Sequence, residues 1–129
     1  MNAERTLNEK GKVSYDYDND ILYFKIIDRE YDFSIELHNL VIDVDEEKFI
    51  TGIRVFDASK VFGIPKISLR DIPEFNFKAR IDQNIITVEF KFVARRRNSL
   101  KKLESTPVNQ RITERIHEPL GDMVVTAVA

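Results

Sequence analysis

The sequence has no cysteine and only two histidines. The missing cysteine excludes disulfide staples, thiol nucleophiles and cysteine-based zinc sites together. His38 and His117 lie far apart in sequence, so a histidine-rich metal site has too few ligands. No apolar run approaches the ~20 residues that a membrane helix needs. The first twelve residues are polar and charged, unlike the apolar core of a secretory signal. Low-complexity tracts and internal repeats are also missing, apart from a recurring hairpin pattern. Together these absences point to a cytoplasmic protein with no membrane partner and no cofactor.

What is present suits one folded unit. The chain has 129 residues, of which 43% are apolar, enough to bury a core without staples or metals. Charge is unevenly spread. Residues 1–73 carry 10 Lys/Arg against 15 Asp/Glu, and residues 74–129 carry 10 against 7. Halves of opposite sign suit self-association, or a partner that meets one half.

Residues 1–11 read as a disordered tail. Next, 12-KVSYDY-17 and 21-ILYFKII-27 flank the polar turn 18-DND-20, which predicts a hairpin. A short strand is expected at 32-DFSIEL-37. The segments 40-LVIDVD-45 and 49-FITGIRVF-56 alternate around 46-EEK-48 and predict a second hairpin. Gly52 inside a strand signals a bulge or a close backbone approach. After Phe56 the period changes. Asp57 is placed as an N-cap, Gly63 as a helix stop, and Pro65 follows. One short helix is therefore expected after the fifth strand. In 75-FNFKARI-81 and 85-IITVEFKFVA-94, apolar and polar residues alternate around Asp82-Gln83-Asn84, giving the clearest hairpin. A basic loop, 95-RRRNSLKKLESTP-107, follows. Strands at 110-QRITERI-116 and 123-MVVTAVA-129 close the chain. The fold class is mostly β (α+β): antiparallel hairpins in a curved sheet. A small sheet-plus-helix domain over 12–63 carries a β extension over 64–129, packed on it as one unit.

The first half carries a recognisable pattern. Tyr15, Asp16, Asp20, Leu22 and Tyr23 stand in 15-YDYDNDILY-23. Asp43, Asp45, Gly52, Ile53, Asp57, Ala58 and Ser59 stand in 42-IDVDEEKFITGIRVFDAS-59. Over residues 12–62 this resembles the prokaryotic domain of unknown function 2283. Arg54 stands where that family usually has an acidic residue, and Glu47-Lys48 replaces its usual turn glycine. Residues 64–129 have no counterpart in its short members. The resemblance implies a curved antiparallel sheet with a short helix against it, and no established activity. Some relatives look like small partner-binding proteins encoded beside toxin-like proteins.

Four groups of residues could carry chemistry. Asp57, Ser59 and Lys60 would suit a hydrolase if Lys60 were desolvated as a base for Ser59; capping of a helix by Asp57 needs no such environment. Asp16, Asp18 and Asp20 begin like a calcium loop, but Ile21 and Ile27 stand where that loop needs Gly and Glu. A divalent site shared with Asp43, Asp45, Glu46 and Glu47 would need the two turns to meet. Arg95, Arg96, Arg97, Lys101 and Lys102 could contact phosphates, although no aromatic is interleaved with them. His117, near Glu118 and Asp122, is the imidazole with carboxylates close in sequence. The expectation drawn from these is a non-enzymatic, self-associating interaction module, a homodimer with a possible protein partner. A dimer, or the extension folded over the sheet, would cover the aromatic hairpin, and the apolar end of the chain would pair within its own sheet or with a second copy. The alternative is a nucleic-acid-binding accessory protein using Arg95–Lys102. A hydrolase-like enzyme at Asp57, Ser59 and Lys60 is third.

Overall fold

The strands run β1 Arg5–Asp16, β2 Ile21–Ile26, β3 Phe33–Leu37, β4 Leu40–Val44, β5 Ile50–Phe56, β6 Glu74–Asp82, β7 Ile85–Arg97, β8 Leu103–Arg115 and β9 Met123–Val128. The structure is a computed structural model and describes residues 4–129. The strands form a nine-stranded curled sheet in the order β3-β4-β5-β2-β1-β9-β6-β7-β8. Each neighbouring pair is antiparallel except β1 and β9, which run parallel. The helix α1, Ala58–Phe62, follows β5, and a 3-10 turn, Lys66–Arg70, follows α1. Among the described residues, no helix is long and apolar enough to cross a membrane.

Strict alternation produces this architecture. Along β6, exposed Glu74, Asn76, Lys78, Arg80 and Asp82 alternate with buried Phe75, Phe77, Ala79 and Ile81. One face of each strand is thus apolar, and the sheet curls to bury it. Phe24 of β2 meets Phe75 and Phe77 of β6, with ring centroids 5.1 Å apart in both pairs. Phe62 of α1 stands edge-on to Phe90 and Phe92 at 5.3 and 5.0 Å. Each such ring contributes about 1.5–3 kcal/mol by burial. The aromatic hairpin is therefore covered inside the chain.

β1 joins the two halves of the sheet. Arg5–Lys10 pairs with β9, and Gly11–Asp16 pairs with β2. Gly11 lies at the changeover, against the Phe24 ring. A Cβ there would stand 2.3 Å from ring carbon Cζ of Phe24. Only glycine lets the strand pass so close to the ring. Gly52 makes a similar approach, 3.0 Å from the Phe24 carbonyl oxygen to an added Cβ. A register shift lies beside it at Asp43 and Val44. The bulge and the close approach expected at Gly52 thus occur together.

Three expectations need correction. The tail expected over residues 1–11 is strand from Arg5 onward; Met1–Ala3 lie outside the described residues. Leu7 is buried, and the Arg5 guanidinium donates to the carbonyls of Glu47, Lys48 and Leu120. Charge along Met1–Lys12 masked a strand that is central in the sheet. The basic loop expected over 95–107 is a β-ribbon: β7 continues through Arg97, residues 98–102 turn, and β8 returns from Leu103. Asn98 makes that turn. Its N–H donates to the Lys102 carbonyl, and its side-chain oxygen accepts from the N–H groups of Leu100 and Lys102. Finally, Asp57 is not a side-chain cap. It sits in the left-handed region, φ 53°, and its carboxylate makes no capping bond. The rest of the helix reading holds: Gly63, φ 67°, ends α1.

Candidate interaction surfaces

The helix cap comes from a different residue. Asp20 sits in the β1–β2 turn, also in the left-handed region at φ 55°. Its carboxylate accepts from the Ser59 N–H at 3.0 Å and from the Ser59 hydroxyl at 2.6 Å. The Tyr15 hydroxyl donates to it at 2.6 Å, and the Ala58 N–H reaches the Asp20 carbonyl at 3.0 Å. Burial opposes its charge, but the bonds from Ser59 and Tyr15 outweigh burial and hold its carboxyl below the usual carboxylate range. Burial, then the bond to Asp20, pushes the Tyr15 phenol up. Lys60 and Asp57 are exposed. Ser59 therefore spends its hydroxyl on Asp20, and Lys60 has no burial to make it a base.

The two acidic turns, which a shared divalent site would need to meet, stand apart. The turn 17–20 lies beside the end of β5, since Ile21 pairs with Phe56, while the turn 45–49 precedes the start of β5. Among the described residues no group of three acidic or histidine side chains could hold a metal. Asp16 accepts instead from the N–H and side-chain amide of Asn19. Asp43, 3% exposed, accepts from the Ser34 hydroxyl at 2.6 Å and from Arg54 at 3.1 Å. Asp45, also buried, accepts from Arg29 at 2.6 Å and from the Phe49 N–H at 3.0 Å. The exposed His117 has its own N–H bonded to Glu118, and the exposed His38 presents its N–H to Glu114. The residues carrying the family pattern thus tie turns, strands and helix together.

Two surfaces remain unspent. One is an acidic groove of about 560 Å³ between the 27–32 loop and the 45–47 turn, with Glu9 at its side. Tyr31, 59% exposed, and Ile27 line it. Segments 27–32 and 45–48 hold six acidic residues against two basic, a net of −4. Sequence reading missed this groove; the signal was the pair 28-DREYD-32 and 45-DEEK-48.

The other surface is the ribbon tip. Residues 94–107 hold five basic residues against Glu104, a net of +4. Arg95 is tied down: its guanidinium donates to both carboxylate oxygens of Asp71 at 3.1 and 3.3 Å, and its N–H donates to the Asp71 carbonyl. Arg96 pairs with Glu104 at 3.7 Å, and Arg97 donates to the Lys101 carbonyl. A hollow of about 500 Å³ lies between Arg70, these arginines, Ile67 and Leu103. Arg70 lies 4.0 Å over the Tyr17 ring and Lys66 4.6 Å over it. The fold thus brings an aromatic and two further cations to the base of the ribbon. The turn at its tip carries Leu100, 73% exposed.

Comparison with known proteins covers up to about three quarters of the chain. Residues 12–59 match the family model described as protein of unknown function (DUF2283). A Methanosarcina mazei protein named "Putative hypoxanthine phosphoribosyltransferase" is 31% identical over 100 residues, covering 76% of this chain and 81% of that protein. An uncharacterized protein of Methanocaldococcus jannaschii is 30% identical over 95 residues, covering 72% of this chain and 82% of its own length. No solved structure matches.

Proposed function

This chain belongs to one family with those two archaeal proteins, its residues 12–59 forming a DUF2283 segment, and from that premise we propose a non-enzymatic interaction module that associates with further copies of itself. One observation carries the reading. Among the described residues, the exposed large apolar side chains are Ile27, Tyr31, Ile67, Leu100, Leu103 and Val128. All but Val128 lie on the acidic groove or the basic ribbon and the turn beside it. Apolar groups ringed by charge are the surfaces that binding covers. Meanwhile Asp20, Ser59, Asp43 and Asp45 already have partners within the fold.

Two other grounds for self-association are met within the chain. The phenylalanine hairpin packs on Phe24 and Phe62, and β9 pairs with both β1 and β6. The proposal therefore rests on the two charged, apolar surfaces. Sedimentation of the full chain tests it. Assembly is expected at ~100 μM, well above the ~1 μM dissociation constant of a modest specific contact. A single-chain species at that concentration, in low salt, sinks it.

A nucleic-acid reading has its own observation: Arg70 and Lys66 on Tyr17 extend the basic surface of Arg95, Arg96, Arg97, Lys101 and Lys102. Salt-dependent shifts of a duplex DNA or RNA fragment test it. The name of the Methanosarcina relative finds less support. A phosphoribosyl group calls for a cradle of backbone N–H groups, at a glycine-rich loop or helix N-terminus. Here α1 is five residues long, and its Ser59 N–H is already held by Asp20.

A further inference from the structure

We propose that the contact between copies is head-to-tail: the ribbon tip of one chain, Leu100 with Arg97, Lys101 and Lys102, docks in the acidic groove of the next, against Tyr31 and Ile27. This rests on the self-association reading above and gives it a surface and a partner.

Position comes first. The groove lies at the start of β5, beside the 45–49 turn. The ribbon lies at the other end, because α1 follows the end of β5, the 3-10 turn follows α1, and Asp71 holds Arg95 at the root of the ribbon. One chain therefore cannot fill its own groove. Beyond Val93, which faces Glu74, β7 has no β6 partner. Arg95–Arg97 and Leu103–Ser105 continue as a two-stranded ribbon, a reach of about 10 Å at ~3.3 Å per residue.

Chemistry comes second. The two surfaces carry net charges of −4 and +4, and each presents exposed apolar side chains at its centre. Arg5 and Glu9 add one charge of each sign at the groove. The tip cations Lys101 and Lys102 are exposed, as are Glu30, Glu46 and Glu47 of the groove. Complementary charge steers and registers such a contact, and the apolar centre holds it. Edge-to-edge pairing of β8 is the competing geometry. Pro107 stands in that edge strand without an N–H to donate, which blunts such pairing. Repeated from copy to copy, this contact between unlike patches builds rings or open chains, and made reciprocally by two copies it closes a dimer.

Two variants of the full chain test this. One neutralises the ribbon: Leu100→Ser, Arg97→Gln, Lys101→Asn and Lys102→Gln. The other neutralises the groove: Tyr31→Ser, Glu9→Gln, Glu30→Gln and Glu46→Gln. Each alone should sediment as a single chain, since each lacks one half of the contact. Mixed, they should form a discrete two-chain complex, because one intact ribbon meets one intact groove and growth then stops. If either variant alone keeps the wild-type assembly, the contact lies elsewhere, and self-association stands without this geometry. Two monomeric variants that stay apart when mixed overturn it equally. A wild-type chain that never assembles takes both readings down, and a wild-type monomer that shifts duplex DNA points to the nucleic-acid reading. Should a neutralised chain misfold, single substitutions decide: the protein has no cysteine, so a Leu100→Cys chain mixed with a Tyr31→Cys chain should cross-link with a thiol-reactive bridge. Cross-linking no greater than within either chain alone overturns the proposal.

Discussion

Asp20 holds the first turn of α1 through Ser59, 39 residues further along the chain. Its two carboxylate oxygens take the Ser59 N–H and hydroxyl, and one of them also takes the Tyr15 hydroxyl. A residue of the first hairpin turn thus does what a helix's own N-cap ordinarily does.

Asp20→Ala should therefore cost about 1–2 kcal/mol. Asp57→Gly should be neutral or stabilising by up to about 1 kcal/mol, because φ 53° suits glycine and no bond is lost. Urea unfolding of both variants reads this. The reverse ranking would return the cap to Asp57.

Acid should find Asp20. Its folded-state carboxyl titrates below its unfolded value of ~3.9. Its contribution is then fully present above that pH and is lost as pH falls through the lower, folded value. The stability gap between wild type and Asp20→Asn, followed by denaturant unfolding, should be constant near neutrality and shrink in acid. A gap that widens in acid contradicts this assignment.

Alkali should find Tyr15. Burial and Asp20 raise its phenol above the usual 10.0, and burial with Asp43 raises that of Tyr23. A raised phenol keeps its stabilising effect below the unfolded pKa and loses it as pH climbs toward the folded one. Phenolate absorbance should place the titrations of Tyr15 and Tyr23 above the usual value, and Tyr15→Phe should remove one of those late steps. A Tyr15 step at the usual value would contradict the bonding described.

Gly11→Ala should destabilise by about 1–3 kcal/mol through overpacking, since its Cβ would meet Phe24 ring carbons at 2.3 and 2.4 Å. Phe24→Leu removes the ring and costs burial of its own. The double variant should lose less than the sum of the two, in a urea-derived double-mutant cycle. Strict additivity would mean that the ring is not what excludes the methyl.

Alternation made most of the sheet legible. Phe75, Phe77, Ala79 and Ile81 on one face leave little doubt about β6, and the Gly63–Pro65 signal ends α1 where the structure does. What failed was long-range. Residues 5–10 look polar because just one of their side chains, Leu7, is buried; β9 and β6 supply their structure, and no local pattern reports that. Asp57 has the right residue type at the right place, yet Asp20 arrives through the β1–β2 pairing and takes the bond first. The ribbon failed for a different reason. Arg95–Arg97 has no apolar alternation, because both faces of a two-stranded projection meet solvent. The groove was invisible in the same way, its two acidic segments being joined by the pairing of β3 with β4 rather than by sequence.

The parallel pairing of β1 with β9 also sets a timetable. The first described strand leaves the ribosome long before the last, yet Arg5–Lys10 has one neighbour on that side, Met123–Val128. Until β9 is made, both β1 and β6 wait with open edges, and the two halves of the sheet share no strand pairing and meet through the rings of Phe24 and Phe62. Contacts of such separation form slowly, on a scale of milliseconds to seconds. The nascent chain should therefore stay sensitive to protease, and to its neighbours, until β9 slides in and closes the middle of the sheet.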